Sequence, residues 1–208
     1  MAHIPDGVLS APVLIGGGAV CLGGLAIGLK RLEERDIPKT AILSAAFFVA
    51  SLVAVPLGPT SVHLLLGGLM GLVLGTGAFA AVFVGLLLQA LFFGFGGLTT
   101  LGVNTMNIAL PGVVFALAAR PLMARLSSAR FGFAAAIVGG LSVLGTAAML
   151  ALSLGLSASD YTPALKLIAL TYLPLAAVEA VITGFVAGYL AEVKPEALPF
   201  ARVSEVPA

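Results

Sequence analysis

The chain has 208 residues, of which 60% are hydrophobic and 9% charged, with a formal net charge of +1 and a mean hydropathy of +1.17. An ordinary soluble domain is about half apolar and about a quarter charged, so this composition cannot cover a water-facing surface. It also excludes a nucleic-acid binder, because no basic cluster suited to phosphate contacts is present.

Apolar runs of about 20 residues read as bilayer spans, and the 26 glycines suit membrane helices that approach closely. Seven helices are predicted, over residues 12–30, 38–55, 64–76, 79–95, 107–122, 131–156 and 163–193. The third, within LLLGGLMGLVLGTG, is short and glycine-rich and reads as tilted or broken. The single cysteine, Cys21, lies inside an apolar run, so no disulfide framework exists. The predicted class is an all-α polytopic membrane protein with one domain over 1–193. The proline-broken tail, 194–208, is expected to be flexible.

Charge sets the orientation. With seven spans, nine of the ten basic residues fall on one side and only Lys166 on the other. Cytoplasmic loops carry the excess of Lys and Arg. The C-terminus is therefore expected in the cytoplasm and the N-terminus outside. No basic residue precedes the first apolar run, so that run does not read as a cleaved signal.

Both histidines then map to the outer side, His3 before the first helix and His63 between the second and third. A free amine, an early histidine and a second histidine on one face suggest a transition metal, since imidazole suits nickel, copper, cobalt and zinc. The alternative is that His63 bonds its own loop and His3 is incidental. Ile4-Pro5-Asp6-Gly7 reads as a turn, which would fold the N-terminus back into the bundle or simply lead into the helix. The run GGLTTLGVNTMN, at 96–107, is too polar for a lipid-facing helix and belongs against protein or a cavity. There Thr100 and Asn104 are candidates to bond the N-terminal loop or to cap the fifth helix, and Asn107 is another possible cap. Glu179, a carboxylate inside the last span, is costly and expected to face inward, paired. It could orient a ligand imidazole or steady the N-terminal loop, or pair with Gln89.

Three blocks, HIPDGVLS at 3–10, GPTSVHLLLGGLMGLVLG at 58–75 and LLLQALFFGFGGLTTLGVNTMNIALPG at 86–112, resemble the CbiM/NikM family, as does the weaker LAAVEAVITGFVAGYL at 175–190. These are the substrate-binding membrane components of energy-coupling factor (ECF) transporters for cobalt and nickel. The resemblance implies a seven-helix bundle in the cell's inner (plasma) membrane without an ATPase of its own. The implied partners are a scaffold membrane protein, cytoplasmic ATPases and a small accessory membrane protein. Ni2+ or Co2+ is the implied substrate, and the HIPDG turn leans by resemblance toward nickel. In the family, the ligands are the N-terminal amine, the amide nitrogen and imidazole of the second residue, and an imidazole from the loop before the third helix.

Here histidine stands third. Removal of Met1 before the small Ala2 would restore the pattern, with Ala2 supplying the amine, His3 the amide and ring, and His63 the fourth nitrogen. If Met1 stayed, the N-terminal peptide alone would supply four nitrogens and His63 would be spare. Either set is square-planar and suits nickel(II) or copper(II). ECF substrate components dock on their scaffold through an alanine stripe, for which Ala41 and Ala45, or Ala46 and Ala50, are candidates; internal packing is the alternative. No phosphate-binding GxxxxGK[ST] run is present, so no bound nucleotide and no enzymatic activity are expected. A secondary transporter would show intramembrane charges and inverted halves, and only Glu179 fits that pattern.

Overall fold

The computed structural model describes residues 3–53, 55–57, 60–157 and 162–199. Among them the chain forms seven α-helices: α1 (Ala11–Lys30), α2 (Ile37–Leu52), α3 (Gly67–Leu74), α4 (Ala78–Phe93), α5 (Leu101–Met123), α6 (Ser128–Gly155) and α7 (Thr162–Val193). A three-residue antiparallel ladder, β1 (Val55–Leu57) on β2 (Thr60–Val62), joins α2 to α3. The protein is all-helical in class. Among the described residues, five stretches are long and apolar enough to cross a membrane: Ala11–Lys30, Gly67–Phe93, Leu101–Met123, Arg130–Gly155 and Leu170–Val193. The seven expected spans are not all of that length. At 16 residues, α2 is shorter than the roughly 20 a span uses, and α3 joins α4 in one stretch.

Proline and tertiary contacts explain the helix limits. Pro12 and Pro38 stand in the first turns of α1 and α2, where the missing N–H costs nothing. The fifth helix begins six residues before the expected position 107. Gly102, a poor helix former, is accommodated there because α5 presses on α1: an added Cβ would come 2.9 Å from Gly18 Cα. Close packing overrides propensity at this point. The second helix ends at Leu52 rather than 55, and the chain then enters the ladder.

The core is organised around α5, which packs on α1, α3, α4 and α6. The eight-residue α3 is buried from Gly67 to Val73, as a helix that is apolar all round should be. Its glycines make this possible. Gly71 lies against the Gly112 carbonyl of α5 and Gly68 against Gly139 of α6, with no room for a Cβ at either.

The bundle has two distinct ends. At one, the turn Gly75–Gly77 shares a cleft with Arg31, Lys39 and Arg120. At the other, the residues that follow α4 reach His3, and Ser157 beyond α6 bonds the Ser10 N–H. Of the tail 194–208, residues 200–208 lie outside the described residues. Residues Pro195–Ala197 form a 3-10 turn, and Leu198 is buried in the cluster that holds Met123 and Phe131.

Candidate metal centre

The N-terminal segment is gripped by α5 and the loop before it. Asn104 matches both polar groups of Ile4: its Oδ1 accepts the Ile4 N–H at 3.0 Å and its Nδ2 donates to the Ile4 carbonyl at 3.0 Å. The Thr100 hydroxyl donates to the same carbonyl at 2.7 Å. The chain then turns at Asp6 and Gly7. Asp6 Oδ1 accepts from the Thr99 N–H at 3.0 Å, the Thr99 hydroxyl at 2.5 Å and the Thr100 N–H at 3.3 Å. These amides lie in the turn just before Leu101, so Asp6 fixes the approach to α5 from another part of the chain. The Thr99 hydroxyl, chiefly, holds the Asp6 carboxyl below its ordinary value.

The grip requires glycine at two places that the residue types alone did not single out. Gly96 has φ +77°, and a Cβ there would lie 3.2 Å from Asn104 Nδ2 and 3.3 Å from His3 Cβ. A Cβ on Gly97 would overlap the Asp6 carboxylate. The signal was the GFGG run itself, since consecutive glycines often mark close backbone approach.

His63 arrives from the other side, on the segment between β2 and α3. Its Nδ1 lies 3.0 Å from the Leu64 carbonyl oxygen. A carbonyl only accepts, so Nδ1 carries the proton and Nε2 presents a lone pair. Glu179 from α7 ends beside this segment: Oε1 accepts from the Leu65 and Leu66 N–H groups, the latter at 2.8 Å. Among the described residues it bonds neither an imidazole nor the N-terminal loop. Nor does it pair with Gln89, which donates to Ser51 instead.

The two imidazoles meet, with ring centroids 4.8 Å apart and planes 25° from parallel. His3 is 6% exposed and His63 5%. Both nitrogens of His3 and Nε2 of His63 are buried without a hydrogen-bond partner among the described residues. Each such group costs about 1–3 kcal/mol when left unsatisfied, and native structures carry few without reason. Burial, then the neighbouring His63, pushes the His3 pKa down to about 3. Burial is also the main cause lowering that of His63. Both rings are neutral at physiological pH and have free lone pairs, the form that binds a transition metal. Among the described residues, no group of three His, Cys, Asp or Glu side chains stands ready for a metal. Two imidazoles therefore need further donors, such as main-chain nitrogen; the expected donor Ala2 lies outside the described residues.

Other expected positions fall elsewhere. Asn107 is not a cap: it lies inside α5 and its Oδ1 accepts from Ser153 of α6 at 3.2 Å. Ala41, Ala45 and Ala46 are exposed on the outer face of α2, whereas Ala50 is half-buried. The inner face of α2 instead carries Ser44, bonded to the Ala81 carbonyl, and Phe47, packed on Gly85.

Comparison with known proteins matches residues 3–197 to CbiM, described as the cobalt uptake substrate-specific transmembrane region. A Haemophilus influenzae chain named for metal transport is 37% identical over 201 residues, covering 94% of this chain and 96% of its own. The fused nickel transport protein NikMN of Rhodobacter capsulatus is 29% identical over 229 residues, covering 99% of this chain and 66% of that one. A crystal structure of a transition metal transporter superposes with a TM-score of 0.77 at 30% identity, covering 92% of this chain and 93% of the other.

Proposed function

The chain belongs to the CbiM family, the substrate-specific membrane components of cobalt and nickel uptake, and we propose that it captures Ni2+ or Co2+ through Ala2, His3 and His63. The observation that carries this reading is the stacked pair of buried imidazoles with three unpartnered nitrogens. With Met1 removed, the Ala2 amine, the His3 amide and ring, and His63 Nε2 make four nitrogen donors. An all-nitrogen square set suits nickel(II) and disfavours oxygen-seeking ions. Asp6, Thr100 and Asn104 serve to hold the N-terminal loop so that its donors face His63. The family is described by cobalt and one relative is named for nickel, so either ion is retained as substrate.

The metal-binding end lies opposite Arg31, Lys39 and Arg120. Under the positive-inside rule that arrangement faces the site outward and the C-terminus into the cytoplasm, in the cell's plasma membrane. The exposed Ala41, Ala45 and Ala46 on α2 offer close helix approach to a scaffold membrane protein. That scaffold, with cytoplasmic ATPases and a small accessory membrane protein, would drive release of the ion inward.

His63→Ala tests the site. It is expected to abolish tight nickel binding in calorimetry, leaving only the weaker hold of Ala2 and His3, while membrane insertion and yield stay the same. Parental affinity would remove His63 from the ligand set. A cysteine at position 10 is expected to be labelled from outside and one at position 34 is not; the reverse pattern inverts the orientation. Uptake into vesicles should require the ATPase subunits and ATP, and uptake without them would identify a secondary transporter.

A further inference from the structure

We propose that Glu179 is the positioning residue that aims the His63 imidazole, through its reach to the Leu65 and Leu66 amides rather than its charge. The inference rests on His63 being a metal ligand. Glu179 is fully buried and no salt bridge to it is found among the described residues. Its Oε1 instead accepts two backbone N–H groups, those of Leu65 and Leu66.

The first of these belongs to the peptide group that joins Leu64 to Leu65. The carbonyl of that same peptide accepts the His63 Nδ1–H at 3.0 Å. A peptide unit is planar, with its N–H and C=O on opposite sides. Holding the N–H against Glu179 therefore turns the C=O toward the ring. With its Nδ1–H committed to that carbonyl, the ring keeps its Nε2 lone pair free for a metal. The second amide belongs to Leu66, which has φ +50°, a left-handed conformation unfavourable for a branched residue. A fixed acceptor is what keeps the chain in that conformation just before α3 begins. The linkage thus runs from α7 through one peptide plane to the tautomer and direction of a ligand. Outer partners of ligating histidines set both properties.

A carboxylate is not required for this task, because an amide oxygen accepts the same two N–H groups. Reach and charge can therefore be separated by two conservative substitutions. Glu179→Gln keeps the length and loses the charge. Glu179→Asp keeps the charge and is one methylene shorter. Each is made in the parent and in His63→Ala, with nickel titrated calorimetrically into purified full-length protein and the metal-free melting temperature recorded.

Glu179→Gln is expected to bind nickel within about threefold of the parent, and Glu179→Asp about tenfold or more weakly. In the His63→Ala background, Glu179→Asp is expected to leave the residual affinity unchanged, because the residue acts through His63. Retained affinity in both variants overturns the proposal, as does loss in both, or loss in Gln with retention in Asp. An equal loss in the two backgrounds shows general structural damage and overturns it too. Failure of the metal-site reading looks different: His63→Ala alone would then bind like the parent.

Discussion

His3 arrives on a loop whose backbone is gripped by side chains of α5, whereas His63 arrives on a segment sunk between glycine-lined helices and tied to α7. The first hold consists of Asn104, Thr100 and Asp6 on a chain that is otherwise solvent-facing from Pro5 to Gly7. The second is continuous with the core, since Gly67 follows within four residues and lies 3.1 Å, as a built Cβ, from the Ile108 carbonyl. Local stability differs between such regions, and ligand-binding loops come from the weaker end. The N-terminal half is therefore expected to open more readily than the half that carries His63, although Ile4 packs into the core.

The sharpest way to separate the halves is to break the core beneath His63. Gly71→Ala places a methyl against the Gly112 backbone carbonyl, where nothing flexible can give way. Overpacking of this kind costs about 3 kcal/mol at the upper end of its range. A large fall in melting temperature and yield is expected, with nickel binding lost along with the fold. A silent substitution would show that α3 is not locked in place.

On the other half, Asn104→Leu removes both hydrogen bonds to Ile4. A buried polar group left unpaired costs about 1–3 kcal/mol, but this loop can escape that cost by leaving its groove. Nickel affinity is therefore expected to fall about tenfold to a hundredfold, equivalent to about 1.4–2.8 kcal/mol. The metal-free melting temperature should barely move. A fall as large as that of Gly71→Ala would erase the contrast between the two holds.

The smallest effect is expected at Asp6, whose clasp is exposed. Asp6→Ala should weaken nickel about threefold, as for a surface hydrogen-bonded group. Its folded pKa lies below the ordinary 3.8, chiefly through the Thr99 hydroxyl. The stabilisation is therefore complete above that ordinary value and fades only as pH falls through the lowered one. The ratio of parent to Asp6→Ala affinity should be constant from about pH 5 to 8. A ratio that collapses within that window would mean the carboxylate is not held as described.

The sequence made some of this legible and hid the rest for physical reasons. Hydropathy and glycine content identify a membrane bundle, and the HIPDG turn, Thr100 and Asn104 point to a folded-back N-terminus because polar groups in an apolar chain must be paired. What local patterning could not show is that α5 starts at Leu101, since Gly102 reads as a poor helix former and its close approach to α1 is a tertiary contact. Asn107 looked like a cap for the same reason and is instead a bridge to Ser153. Glu179 was legible as a buried carboxylate, but its partners are main-chain amides of Leu65 and Leu66, which no residue type announces. The length of α2 and the depth of α3 follow from packing rather than from apolar run length, so the seven runs in the sequence correspond to five span-length stretches among the described residues.

The more readily opened half and the built-in half make one site only if a single ion joins them. X-ray absorption at the nickel K-edge, on purified full-length protein loaded with one equivalent of Ni2+, tests this most directly. The expected result is a first shell of four nitrogen donors with multiple scattering from two imidazoles, and from one imidazole in His63→Ala. A spectrum with one imidazole in both proteins, or with an oxygen-dominated six-coordinate shell, would contradict the joining of His3 and His63 through the metal.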